Sequence, residues 1–139
     1  MHHITQFVIV VHDYDEAVRF YVGVLGFELI EDSDRGGGKR WVRVRPRGPS
    51  GGCAILLAKA ADDRQRAAVG NQTGGRVFIF LHTDDFMRDY NKLTSAGVKF
   101  RGPPRREDYG TVAVFEDPYG NAWDLIEPPG ARTSSVELH

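Results

Sequence analysis

A carboxylate in the second half of the chain has neighbours that suit proton transfer. Asp124 lies in residues 122–126, which alternate like a β-strand. Its side chain is therefore expected opposite Trp123 and Leu125. If that side lines a cavity, burial would raise the pKa of the carboxyl group, and Asp124 could act as a general base. The alternative is a structural carboxylate, satisfied by Gln6 or by backbone N–H groups.

One histidine is a second candidate for acid–base chemistry. His82 ends an apolar strand and shares a face with Phe78 and Phe80, so alternation directs all three towards a cavity or its rim. There it could exchange a proton or contact a ligand. A lone histidine before the acidic pair at 84–85 more often has a structural role.

Aromatic and cationic side chains indicate a place where a ligand could bind. Trp41 and Arg43 share one face of the predicted strand 39–45. Aromatic side chains wall small-molecule pockets, and an arginine there would bind a carboxylate or phosphate. Alternation does not tell which face of this strand is turned to a cavity. Tyr109 ends a loop of mixed charge that either borders the cavity mouth or is simply solvated.

The composition excludes several classes of protein. The 139 residues include 18 Lys and Arg against 19 Asp and Glu, a formal net charge of -1, which does not favour nucleic acid or an anionic membrane as partner. The single cysteine, Cys53, excludes an internal disulfide framework. No apolar run approaches the roughly 20 residues that span a bilayer, and no signal peptide is evident. We therefore expect a cytoplasmic protein.

The elements that must position these side chains follow one pattern twice. Each half predicts a strand, a helix that begins after an aspartate, and three further strands. Placing Asp13 on Asp85 superposes the halves at an offset of 72 residues. The predicted strands are 4–11, 27–31, 39–45 and 53–58, then 76–83, 98–101, 111–115 and 122–126, with charged loop 103–108 and a short helix within 61–69.

This duplication predicts an α+β fold of two tandem βαβββ modules. Such a unit does not close its own sheet, so two of them should pair as curved mixed sheets that enclose a cavity. We expect a single domain over residues 1–130, with module one at about 1–60, a linker at 61–75 and module two at about 76–130. Residues 131–139 should form a loose tail.

Two motifs resemble a known family. Residues 11–21 (VHDYDEAVRFY), which lead into LGF at 25–27, resemble the opening of vicinal-oxygen-chelate proteins. Residues 115–127 (FEDPYGNAWDLIE) resemble their closing hairpin. This superfamily includes glyoxalase I, extradiol dioxygenases, fosfomycin-modifying transferases and bleomycin-binding proteins. The resemblance implies the fold and a homodimer, but one scaffold carries many functions.

The resemblance also implies where a metal would be held. Metalloenzymes of the superfamily place one ligand on the first and the last strand of each half, and these positions correspond to Gln6, Leu56, Phe78 and Asp124. Leu56 and Phe78 have no donor atom, and two protein oxygens rarely hold a divalent transition metal. Moving the assignment of Leu56 or Phe78 by one residue in either direction also gives a side chain that cannot bind a metal. We therefore expect no metal and no other cofactor.

Two functions remain open at this point. The first is a metal-free protein that binds a small organic molecule, with Gln6, His82 and Asp124 as polar anchors and Leu56, Phe78 and Phe80 as apolar walls. The second is an isomerase or lyase that uses Asp124 as a base on a small oxygenated substrate, with or without a divalent metal. Glyoxalase I and extradiol dioxygenase rank lower, because the metal ligands they need are missing.

Overall fold

The chain folds into two compact units, each with its own sheet. The computed structural model describes residues 1–49 and 52–130. The first unit comprises residues 1–72, and the second begins at Thr73. The tail expected at 131–139 lies outside the described residues. No helix in the described ranges is long and apolar enough to cross a membrane.

The first sheet is mixed, with strand order β1-β4-β3-β2. β1 (Gln6–Val11) pairs in parallel with β4 (Ala54–Lys59). β3 (Lys39–Arg45) is antiparallel both to β4 and to β2 (Glu28–Gly36). β2 extends to Gly36, where the sequence predicted its end at residue 31. The predicted order of one strand, one helix and three strands is confirmed.

The helix of the first unit changes its winding. α1 (Tyr14–Val18) begins after Asp13, whose carboxylate caps the first turn. It continues as a π-helical segment, Arg19–Val24. There the backbone N–H of Leu25 donates to the carbonyl of Phe20, five residues back, at 2.8 Å. The apolar spacing predicted the buried face of this helix but not its wider turn.

Alternate residues of the first sheet form its core. β3 turns Arg40, Val42 and Val44 to one side. The Arg40 guanidinium lies 5.0 Å from the centre of the Tyr14 ring, so this is the side that α1 covers. Fully or almost fully buried on it are Ile9, Val11, Val42, Val44, Ile55 and Leu57.

The second sheet repeats this topology, with strand order β5-β8-β7-β6. β5 (Val77–His82) pairs in parallel with β8 (Ala122–Glu127). β7 (Gly110–Glu116) is antiparallel both to β8 and to β6 (Arg105–Glu107). The predicted fold class, α+β with two βαβββ modules and mixed sheets, is confirmed.

The edge strand of the second unit lies later in the chain than predicted. Residues 98–101 were predicted as a strand and 103–108 as a loop, whereas Arg105–Glu107 forms β6. The earlier segment still pairs with β7: Phe100 forms an isolated bridge to Phe115, and the N–H groups of Arg101 and Glu116 donate to the carbonyls of Val114 and Lys99. The Phe100 ring packs against Tyr90 and Phe115, so its apolar character serves the core. An edge strand tolerates charged residues, so the polar segment β6 can form the edge of the second sheet.

Helix α3 (Phe86–Ser95) covers one face of the second sheet through a row of aromatic rings. Successive ring centres are 4.6–5.8 Å apart, the spacing of favourable aromatic pairs. The row runs from the helix into the sheet through Phe86, Tyr90, Phe100, Phe115 and Trp123. The opposite face of β8 therefore carries the side chains that alternate with Trp123.

The side chain of Gln72 forms hydrogen bonds with the outer edge of β1. A short helix, α2 (Asp63–Ala68), leads to Gln72. The Gln72 Oε1 accepts a hydrogen bond from the N–H of Val10 at 2.7 Å, and its Nε2 donates to the carbonyl of Val8 at 3.1 Å. One side-chain amide thus supplies the two bonds that a neighbouring strand would make.

Replacing Gln72 by alanine should destabilise the first unit. Two backbone groups of β1 lose their partners, so the free energy of unfolding is expected to fall by about 1–2 kcal/mol. Urea denaturation measures the change. Asn71→Ala is the matched control, since no hydrogen bond of its side chain is recorded; an equal loss in both variants would contradict the role of Gln72.

Candidate functional site

The structure settles which face of β3 carries Trp41 and Arg43. Their neighbour Arg40 points to α1, where its guanidinium forms an ion pair with Asp15 at 3.0 Å. Trp41 and Arg43 therefore point to the helix-free face. Register places Leu56 beside Arg43 on this face. Three residues predicted to contact a ligand share one open surface of the first unit.

Arg43 organises the polar groups of this surface. Its Nε donates to the Gln6 Oε1 at 2.9 Å, and its Nη1 lies 3.4 Å from the Glu31 Oε1. The Glu31 carboxylate also accepts hydrogen bonds from the hydroxyl of Ser33 and from Arg35. The Ser33 hydroxyl and the Arg43 guanidinium lower the pKa of Glu31. Glu31, Ser33 and Arg35 were not selected from the sequence, because their proximity depends on strand register.

These residues do not fit the divalent metal that the resemblance implies. The Gln6 Oε1 is bonded to the Arg43 guanidinium, which puts a positive charge where a cation would sit. Leu56 and Phe78 offer no donor, which leaves Asp124. Within residues 1–49 and 52–130, no three His, Cys, Asp or Glu side chains come together as a metal-binding group. The absence of a cofactor stays a prediction.

A cavity of about 530 Å³ lies in the first unit beside the end of the β3–β4 ladder. The ladder between the two strands ends at Val42 and Leu57. In the same register the next hydrogen-bonded pair would be Arg40 and Lys59. The N–H of Arg40 donates instead to the hydroxyl of Tyr14 at 3.1 Å. We call this space the β3–β4 cavity.

The walls of the β3–β4 cavity are mainly apolar, and its charged groups are all basic. Of these, Arg40 forms ion pairs with Asp32 and Asp15, at 2.8 and 3.0 Å. Trp41 and Leu56 are the predicted ligand contacts found here, whereas Gln6 and Arg43 are not among its walls. The lining comprises Tyr14, Gly37, Gly38, Lys39, Arg40, Trp41, Leu56, Leu57, Ala58, Lys59, Ala60, Ala61 and Gln65.

Sequence reasoning missed most of this cavity for a physical reason. Pattern predicts that 39–45 and 53–58 are strands, but it does not predict where their pairing stops. The available signal was the glycine run before β3. Gly37 and Gly38 adopt positive φ angles of 63° and 81°, which favour glycine, and they contribute no side chain to the space.

In the second unit, Asp124 lies buried on the middle strand β8. It is 6% exposed, and its Oδ1 has no hydrogen-bond partner in the described structure. Register places Phe80 and Val114 on either side of it. Burial raises the pKa of the Asp124 carboxyl, and the positive charge of Arg105 partly opposes this. A buried carboxyl group with a free oxygen has the properties that a general base needs.

The other predicted site residues of the second unit are more exposed than Asp124. Register places His82 beside Ile126, on the face of Asp124, but His82 is exposed and no hydrogen bond joins the two in the described ranges. Phe80 is 61% exposed. Phe78 lies at an irregularity in the pairing of β5 with β8. Tyr109 is half exposed in the β6–β7 turn, where its side chain interacts with Arg105.

Comparison with known proteins agrees with this architecture. Residues 1–125 match the Glyoxalase/Bleomycin resistance protein/Dioxygenase superfamily. The chain belongs to this superfamily. The family resemblance of the two terminal motifs is thereby confirmed.

The chain is also similar to an uncharacterized protein and to solved structures. An uncharacterized protein of Shewanella frigidimarina (strain NCIMB 400) is 56% identical over 125 residues, covering 89% of this chain and 92% of that protein. The crystal structure of UcmS2 is 30% identical, with a TM-score of 0.79 over 91% of this chain and 98% of that one. TnmS3, an antibiotic binding protein from Streptomyces sp. CB03234, is 30% identical, with a TM-score of 0.73 over 92% and 97%.

Replacing Asp124 by asparagine should stabilise the fold at neutral pH. Because the folded-state pKa is raised above the ordinary value of 3.8, the folded protein binds more protons than the unfolded chain, and its stability falls as the pH rises through this interval. We expect the variant to gain about 1 kcal/mol in the free energy of unfolding at pH 7, since an unpaired buried charge is removed.

The gain should disappear below about pH 3, where the carboxyl group is protonated in both states. Urea denaturation at both pH values measures it. Asp108→Asn, at an exposed position in the β6–β7 turn, is the control. A loss of stability at pH 7 in Asp124→Asn would contradict the raised pKa.

Proposed function

We propose that this superfamily member binds a small organic molecule without a metal, in the β3–β4 cavity. The cavity itself carries the proposal. Its volume of about 530 Å³ lies within the range of roughly 300–1,000 Å³ that small-molecule sites occupy. Trp41, Tyr14 and the aliphatic residues of β4 supply an apolar wall, and a few polar side chains could fix a ligand's orientation.

The charges near Gln6 support metal independence. The Arg43 guanidinium already donates a hydrogen bond to the side-chain oxygen of Gln6. Leu56, beside Arg43, offers no atom that could bind a metal. A divalent cation here would face a fixed positive charge at short range. Binding should therefore depend on the cavity walls and not on a bound metal.

The relatives support an organic ligand of the antibiotic type. TnmS3 is an antibiotic binding protein that shares this fold and 30% of the residues. The three basic residues and the absence of acidic residues along the β3–β4 cavity disfavour a strongly cationic drug. Neutral or anionic natural products are the better candidates.

Fluorescence titration of EDTA-treated protein tests this function. Of the two tryptophans, Trp41 lines the cavity and Trp123 lies in the core of the second unit. A screen of natural products by thermal shift selects the compounds to titrate. We expect binding to quench Trp41, and Trp41→Phe to abolish the change in signal.

Trp41→Ala should weaken binding about tenfold, because one aromatic wall is lost. Met87→Ala, at an exposed position on α3, is the matched control and should bind as the native protein does. Isothermal titration calorimetry measures both affinities. Binding that requires added Zn²⁺, Ni²⁺ or Mn²⁺ would contradict metal independence.

A second candidate function rests on Asp124. Its buried, unpartnered Oδ1 and its raised pKa suit proton abstraction next to a carbonyl group. The experiment is proton exchange of hydroxyacetone and dihydroxyacetone in D₂O, followed by NMR. Exchange above the buffer rate in the native protein and in Asp108→Asn, but not in Asp124→Asn, would support an isomerase or lyase; exchange at the buffer rate in all three would exclude the base for these substrates.

We also propose that the protein is a homodimer and lies in the cytoplasm. The family resemblance motivates the dimer, and light scattering on the purified protein measures the mass that tests it.

A further inference from the structure

We infer that the ligand of the β3–β4 cavity is a flat organic anion, which the positive charges of Lys39 and Lys59 attract. This inference rests on the proposed function and adds the chemical class of the ligand. Two features of the cavity carry it: its unpaired positive charge and its aromatic walls.

The charge of the two lysines is not neutralised within the first unit. Lys39 and Lys59 line the cavity, and neither forms an ion pair in the described ranges. The third basic residue, Arg40, differs, because Asp15 and Asp32 both bind its guanidinium. Lys99 of the second unit likewise has Glu116 within 3.7 Å. The two cavity lysines thus leave a local positive field directed at an apolar space.

The walls of the cavity suit an aromatic ligand. The space lies beside the end of the β3–β4 ladder. Trp41 and Tyr14 line it, and Gly37 and Gly38 leave it free of side chains at the β2–β3 turn. An aromatic ring would contact these walls, with its anionic group towards the lysines.

Paired probes that differ in charge test the inference. 2-Naphthoate and 2-naphthamide have the same ring system, but only the first is an anion at pH 7. We expect EDTA-treated protein to bind 2-naphthoate at least tenfold more tightly, with quenching of Trp41 and an affinity that falls as salt is added. Calorimetry gives both dissociation constants.

Charge-removing variants locate the effect. Lys39→Gln with Lys59→Gln should weaken 2-naphthoate at least tenfold and leave 2-naphthamide unchanged. Lys92→Gln, which removes the same charge from α3, should change neither. Both lysines of the cavity are exposed, so the double variant should keep its fold, and its thermal unfolding checks this.

The outcomes separate this inference from the proposed function. Equal binding of the two probes, with Trp41 quenched by both, would overturn the anion preference while the binding function stands. Unchanged affinity for 2-naphthoate in the double variant would overturn the role of the lysines. If no flat compound of either charge quenches Trp41, both the inference and the proposed function fail.

Discussion

The hydrogen bond from the backbone N–H of Arg40 to the hydroxyl of Tyr14 is the interaction on which the candidate site depends. A buried backbone donor must find an acceptor, and in a regular sheet this one would find it on Lys59 of β4. Tyr14, at the start of α1, supplies the acceptor instead. The ladder can then stop at Val42 and Leu57 without leaving the Arg40 N–H unsatisfied.

The side chain of Arg40 stabilises the same arrangement from the helix side. Its guanidinium contacts the Tyr14 ring and forms ion pairs with Asp15 and Asp32, so helix, ring and strands β2 and β3 are held together by one residue. A site built on a strand and a helix end is more rigid than one built on loops. The cavity is thus part of the fold of the first unit.

The two units share a topology but differ in the polar groups of their helix-free faces. In the first, Arg43 links Gln6 to Glu31 through a hydrogen bond and an ion pair. In the second, Asp124 is buried beside apolar neighbours with one oxygen unpartnered. Unpaired buried polar groups are costly, so they are usually retained where they serve a function. This contrast is why two functions are proposed, with different residues and separate tests.

Sequence pattern predicted the architecture better than the site. Alternation and helical spacing reflect which side chains are buried. The bounds of β3, and the position of Asp124 and Trp123 on opposite faces of β8, were therefore correctly predicted. Register and the ends of ladders arise from pairing between distant segments, which no local pattern reports. The segment around Phe100 shows the limit: apolar residues there indicated a strand, but the ring fills a core position.

The most direct test of metal-free binding in the β3–β4 cavity is an NMR titration of EDTA-treated, ¹⁵N-labelled protein with 2-naphthoate. The account predicts that the largest amide shifts fall on Arg40, Trp41 and Lys59, and that adding Zn²⁺ leaves them unchanged. Shifts confined to the second unit, or shifts that appear only after a divalent metal is added, would contradict it.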